Sequence, residues 1–200
     1  METIGGALCL DFLNTVGSFF LTPRADTLVD YPALLRFSKE NGALDAGEAR
    51  SLEKEAQRRP MDAQATLARA VALREAIFEL FLAASHDKPL PPAALATVNE
   101  ALGTLAGQAL VCDGGGKRCR LECAPRVTLD AMLGPIARSA AELLASEDVD
   151  RVRVCEASVG KSCTFMFLDR TKNRSRRWCS MKDCGNRAKA RRHYQRSKSG

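Results

Sequence analysis

The chain has 200 residues, of which 46% are hydrophobic and 27% charged, with a formal net charge of +6. That length suits one domain of ordinary size plus a small appendix. No apolar run approaches the twenty residues of a membrane span and the N-terminus lacks the basic region of a secretory signal, so a cytoplasmic protein without membrane contact is expected.

In chain order, Ala7 to Leu13 reads as a short apolar strand, followed by an irregular stretch from Gly17 to Asp30 that contains Pro23. Helices are predicted over Tyr31–Glu40, with Pro32 near the start, and over Ala46–Arg58, with Asp45 as cap and Pro60 beyond the end. The longest predicted helix is Asp62–Ala84, where Leu67, Val71, Ile77, Phe78 and Phe81 make an apolar face with Arg74 beside it. His86–Pro92 breaks it, and another helix follows over Pro92–Leu105. Ala109–Cys112 and Cys119–Cys123 read as a hairpin around Gly114-Gly115-Gly116-Lys117, a flexible turn that lacks the Ser/Thr and helix of a phosphate loop. A helix over Leu129–Ala145 and a hinge at Ser146–Asp150 complete residues 1–150, expected to form a mixed, mainly helical α/β domain with a short sheet. At the end of the first strand, Asp11, Asn14 and Thr15, with Arg24 downstream, bring polar groups close to an apolar core. They can fix a small molecule or satisfy loop backbone.

Cys155, Cys163, Cys179 and Cys184 form two pairs, C-x7-C and C-x4-C, separated by fifteen residues. Four thiolates in tetrahedral array favour Zn²⁺. Cys155 is the least secure ligand, because seven intervening residues exceed the spacing of a zinc knuckle; buried thiols or a disulfide are the alternative. Val152–Cys155 and Thr164–Leu168 are β-prone, Lys172–Ser175 is a polar turn, and Arg176–Trp178 can return as a strand. With Asp183 as N-cap, a helix runs from Cys184 to Arg196, giving a treble-clef-like order of turn, hairpin and helix over residues 151–200. The other four cysteines, Cys9, Cys112, Cys119 and Cys123, read as reduced thiols, with Cys112 across the hairpin from one of the latter two.

The charge is concentrated in this tail. Residues 169–200 hold twelve Lys/Arg against two Asp/Glu, leaving eighteen basic and twenty-two acidic residues in 1–168. A basic run is by default a solvated face, but a metal-held finger fixes its arginines in place, and the sign suits phosphate. On the helix, Asn186 and Arg187 suit base edges, while Lys189, Arg191, Arg192 and Arg196 spread around the circumference; Arg174, Arg176 and Arg177 on the preceding hairpin suit phosphates. Asn186 can instead satisfy local backbone, and Trp178 is expected behind the metal site.

The runs Arg176-Arg177-Trp178-Cys179-Ser180-Met181 and Cys184-Gly185-Asn186-Arg187-Ala188-Lys189 resemble the CGNR zinc-finger proteins, as do Phe167-Leu168-Asp169-Arg170 and Asn173-Arg174-Ser175. Leu8-Cys9-Leu10-Asp11-Phe12-Leu13-Asn14-Thr15-Val16 resembles the opening of the partner module of that family, the ABATE domain. The resemblance touches both ends of the chain. It implies a bacterial transcription regulator with a treble-clef-like finger for DNA and an N-terminal domain that senses a small molecule. The first cysteine pair departs from the family's shorter spacing.

Catalysis finds little support: the histidines are His86, in a Pro-rich loop, and His193, on the basic helix, and no nucleophile elbow, metal-hydrolase motif or dinucleotide fingerprint is present. The sequence therefore points to a non-enzymatic, zinc-dependent DNA-binding regulator with a possible effector and a homodimeric partner. An RNA-binding or protein-interaction adaptor using the same finger is the alternative, and a small-molecule enzyme the third reading.

Overall fold

The computed structural model describes residues 4–17, 26–105, 108–112, 119–123, 128–157 and 163–198; of 108–112, 119–123, Arg192, His193 and Arg196 it describes the backbone alone. The proposed turn Gly114–Lys117 and the candidate Arg24 lie outside the described residues.

Helix α1 spans Leu8–Leu13, where the sequence predicts a strand. Cys9, Leu10, Phe12 and Leu13 are all buried, so burial repeats with a three-residue step, the helical period. A six-residue, mostly apolar segment does not distinguish that pattern from a buried strand. The turn entering α1 is tight: a Cβ on Gly5 would lie 2.7 Å from Leu10 Cβ, and the Gly5 N–H donates to Asp11 Oδ1 at 2.8 Å.

Helix α2 (Tyr31–Glu40) starts at Asp30, whose carboxylate accepts from Ala33 N at 2.7 Å, with Pro32 in the first turn. Helix α3 (Ala46–Arg58) opens with the reciprocal capping pair Asp45 and Glu48. Helix α4 (Pro60–Ala84) begins two residues before the predicted start, because Pro60 can occupy the first turn of a helix, where its missing N–H costs nothing. Helix α5 (Pro92–Gly103) follows, then the antiparallel pair β1 (Gln108–Cys112) and β2 (Cys119–Cys123), in register with Cys112 opposite Cys119. Helix α6 (Leu133–Leu144) starts four residues later than predicted: residues 129–132 form turns, held where the Tyr31 hydroxyl donates to Leu129 O at 2.7 Å and Arg69 pairs with Asp130. The expected hinge is a short 3₁₀ turn, Glu147–Arg151.

That turn leads into β3 (Val152–Val154), which pairs antiparallel with β4 (Met166–Leu168). The observed fold is therefore mainly helical, with two two-stranded antiparallel sheets among the described residues.

The helical core is built from Phe12, Leu34, Leu73, Ile77, Leu80, Phe81, Met132 and Ile136, and Val152, Met166 and Leu168 join it. Phe165 and Phe167 pack instead into a second cluster with Cys155, Cys163, Cys179 and Cys184. Strand alternation explains the split, since successive side chains of β4 point to opposite faces. One three-residue strand thus serves both cores. Among the described residues no helix is long and apolar enough to cross a membrane.

Candidate metal centre

Each cysteine is delivered by a different local device. Cys155 leaves β3 with its N–H donating to Phe165 O at 2.9 Å, and Glu156 N donates to Arg177 O at 3.0 Å, which draws the two cysteine pairs together. Cys163 leads back toward β4, and residues 158–162 between the first two cysteines lie outside the described residues. Arg176–Trp178 is not a strand as predicted, because its neighbourhood is set by side chains: Asp169 accepts from Thr171 N, Thr171 Oγ1 and Arg176 N at 2.6–2.9 Å. Asp169 is fully buried, and these donors, outweighing the upward push of burial, hold its carboxyl below the usual range.

The second pair spans a wide turn over Met181–Gly185, closed by Gly185 N donating to Ser180 O five residues back. Ser180, not Asp183, caps it: Ser180 Oγ accepts from Asp183 N and donates to Asp183 Oδ2. Helix α7 runs over Asn186–Lys198, two residues later than the predicted start. Gly185 leaves no room for a Cβ against Met181, with Trp178 next nearest.

The result is a compact sulfur cluster. All four Sγ atoms lie within 4.8 Å of one another; Cys163 and Cys179 are 3.6 Å apart, and Cys179 and Cys184 3.7 Å. A tetrahedral ion with bonds of about 2.3 Å to sulfur sets sulfur–sulfur distances of about 3.8 Å, whereas a disulfide needs about 2.05 Å. The geometry therefore fits a metal ion and not a disulfide. Cys155, the doubtful fourth, sits with the others: it is fully buried and its Sγ accepts from Cys179 N at 3.5 Å. Hydrogen bonds from Cys163 and Cys179 pull the Cys155 thiol far down, while the other three are pushed up, Cys184 by burial to about 12. Four buried thiols share one negative charge poorly; a divalent cation allows all to ionise.

The basic residues divide. Arg176, expected as a phosphate contact, is half-buried: its guanidinium lies 4.3 Å over the Phe167 ring and donates to Trp178 O, Cys179 O and Ile4 O. Arg177 pairs with Glu156 and lies 5.0 Å over Trp178, which packs against the cysteine cluster as expected. Asn186 donates to Lys182 O at 3.0 Å, its local role, while its side chain stays exposed. Arg174, Arg187, Lys189 and Arg191 are exposed, and Arg174 holds a left-handed backbone with φ of 48°. The side chains of Arg192 and Arg196 lie outside the described residues.

The described polar residues near α1, Asp11, Asn14 and Thr15, are engaged internally. Asp11 accepts from Gly5 N, and burial raises its carboxyl above the usual value against that bond. Asn14 bonds both backbone groups of Met166, and Thr15 Oγ1 donates to Phe12 O and accepts from Arg74. The sequence places Arg74 beside an apolar face but does not reveal its role: it is 3% exposed and grips Asp26 with both terminal nitrogens. The available signal was its place within an apolar helical stripe.

No curated protein matches the chain. Residues 6–147 match the ABATE family, described as a "putative stress-induced transcription regulator", and residues 151–197 match the CGNR zinc finger. The chain belongs to the ABATE family and carries a CGNR zinc finger at its C-terminal end.

Proposed function

We propose that the protein is a zinc-dependent, DNA-binding transcription regulator, with residues 1–150 sensing a small molecule and residues 151–200 reading DNA. The carrying observation is the four-sulfur cluster at zinc-like spacing, placed immediately before an exposed basic helix. Cys155, Cys163, Cys179 and Cys184 would hold the ion, whose contribution is structural: it fixes the turn that launches α7. Along α7, Arg187, Arg191 and Lys198 follow one helical line, and Lys189, Arg192 and Arg196 another. Two basic lines flanking a short polar face suit a helix lying in a groove between phosphate backbones, with Asn186 and Arg187 toward base edges. Arg174 extends the phosphate contacts from the adjoining turn. One such helix reads one half-site, which supports a homodimer; the working compartment is that of the DNA, the bacterial cytoplasm.

The test is a fluorescence-anisotropy titration of duplex DNA over a range of salt. Affinity should fall linearly on a logarithmic salt scale, and Lys189→Ala with Arg191→Ala should reduce the slope by about 2. Binding restricted to RNA would replace this reading with the adaptor.

A further inference from the structure

A cavity of about 290 Å³ opens where α1, α4 and the finger meet. Leu13, Val16 and Phe78 give it an apolar wall, and Thr164, the residue after Cys163, closes it from the finger side. Glu75 and Glu79 complete the rim one helical turn apart, and neither has an ion-pair partner among the described residues. Like charges at that spacing repel, so the rim favours a cation.

Arg74 also lines the cavity, and its charge is already answered by Asp26. Its Nε is nevertheless the one buried side-chain polar atom among the described residues that has no hydrogen-bond partner. Buried donors in native proteins are nearly always satisfied, so an acceptor is missing here. The lining thus combines three different features: two carboxylates that take a cation, a residue with an unpartnered Nε donor, and the apolar wall of Leu13, Val16 and Phe78.

We infer that this cavity binds a small amphiphilic amine carrying an acceptor oxygen, of the class of amino alcohols and amino-acid derivatives, as the regulator's effector. The inference rests on the sensing role proposed for the N-terminal domain and assigns its site and ligand class. The size suits a metabolite and is small for a larger cofactor. An occupant touches Thr164 beside Cys163 and also α4, so it favours one arrangement of finger against helical core and can thereby shift DNA affinity. An anionic effector is disfavoured, since it would meet two carboxylates and an arginine already paired.

Calorimetric titration of the zinc-loaded, full-length protein in the absence of DNA tests this, using phenylalaninol, leucinol, 2-phenylethylamine, N-acetylphenylalaninol and phenylacetate as probes. The expected result is saturable one-to-one binding of an amino alcohol. It should weaken at least about tenfold on N-acetylation and in Glu75→Gln/Glu79→Gln, the size of one lost charge-assisted hydrogen bond. 2-Phenylethylamine, which lacks the oxygen, should bind more weakly than phenylalaninol. Both glutamates are exposed, so an unchanged Tm for the double variant is expected and certifies its fold. Absence of saturable binding by every amine, equal binding of phenylacetate, or undiminished binding by the double variant would overturn the assignment. Because no DNA is present, failure here leaves the DNA-binding reading standing, and failure of DNA binding leaves this result unaffected.

Discussion

The carboxamide of Asn14 pairs with both backbone groups of Met166, its Nδ2 donating to the carbonyl at 2.9 Å and its Oδ1 accepting from the N–H at 3.0 Å. A side chain at the end of α1 thereby completes the hydrogen bonding of a strand 152 residues away in sequence. Leu168 N donates to Gly5 O at 2.8 Å and Arg170 to Gly6 O at 2.7 Å, so the same edge of the hairpin is held at two further residues. The finger is thus fastened to the helical domain by backbone pairing as well as by shared apolar packing.

Asn14→Ala leaves the Met166 N–H and carbonyl without their partners in a partly buried setting. We expect a loss of about 2 kcal/mol, read as a lower urea midpoint. Asn14→Asp should be at least as damaging at neutral pH, because it loses the donor and sets a carboxylate against the Met166 carbonyl.

Asp26→Asn tests the missed pair with Arg74. Burial pushes the Asp26 carboxyl upward, but hydrogen bonds from Arg74 and Leu28 N, with the Arg74 charge, outweigh it and hold the group below its ordinary value. A lowered folded pKa gives stability that is complete above the unfolded value of about 4 and is lost as pH falls through the folded value. At neutral pH the variant should be less stable by about 2 kcal/mol, less than for a fully enclosed pair because the Asp26 side chain is 36% exposed. Urea midpoints measured across pH should show the gap between wild type and variant closing in acid.

Arg174→Gly separates structure from recognition. Glycine relieves about 1 kcal/mol of left-handed strain but adds chain entropy of similar size, so stability should change by less than about 0.5 kcal/mol. If Arg174 contacts a phosphate, duplex affinity falls and the salt slope shrinks by about 1.

Chelation should loosen the finger unevenly. Met166 and Leu168 are anchored in the helical core, whereas Cys179 and Cys184, which frame the turn before α7, pack in the cysteine cluster. Hydrogen exchange after metal removal should rise over 179–191 while α4 and β4 stay protected. Cys155→Ser should reproduce that pattern, because the structure places Cys155 inside the cluster.

The contrast between Cys184 and Asn14 shows what the sequence could reveal. The metal motif was legible because its parts are local: cysteine spacing, a following basic helix and Trp178 all lie within a few turns of chain. Asp30, Asp45 and Pro32 marked helix starts for the same reason. For Asn14 and Thr15 the sequence leaves ligand contact and backbone bonding both open, because their partners, Met166 and Arg74, are far away in sequence. The α1 segment resembles a strand because its five apolar residues fit either period, and only its burial between α4, α6 and β4 decides. Cys155 was uncertain from spacing alone, since loop length does not say where a loop returns.

The most direct test of the regulator reading is genome-wide recovery of nucleic acid bound to the full-length protein, with the Cys179→Ser/Cys184→Ser variant as control. We predict enrichment of duplex DNA sharing a sequence motif, lost in the variant. Recovery of RNA alone, or equal recovery of the same DNA by both proteins, would contradict the account.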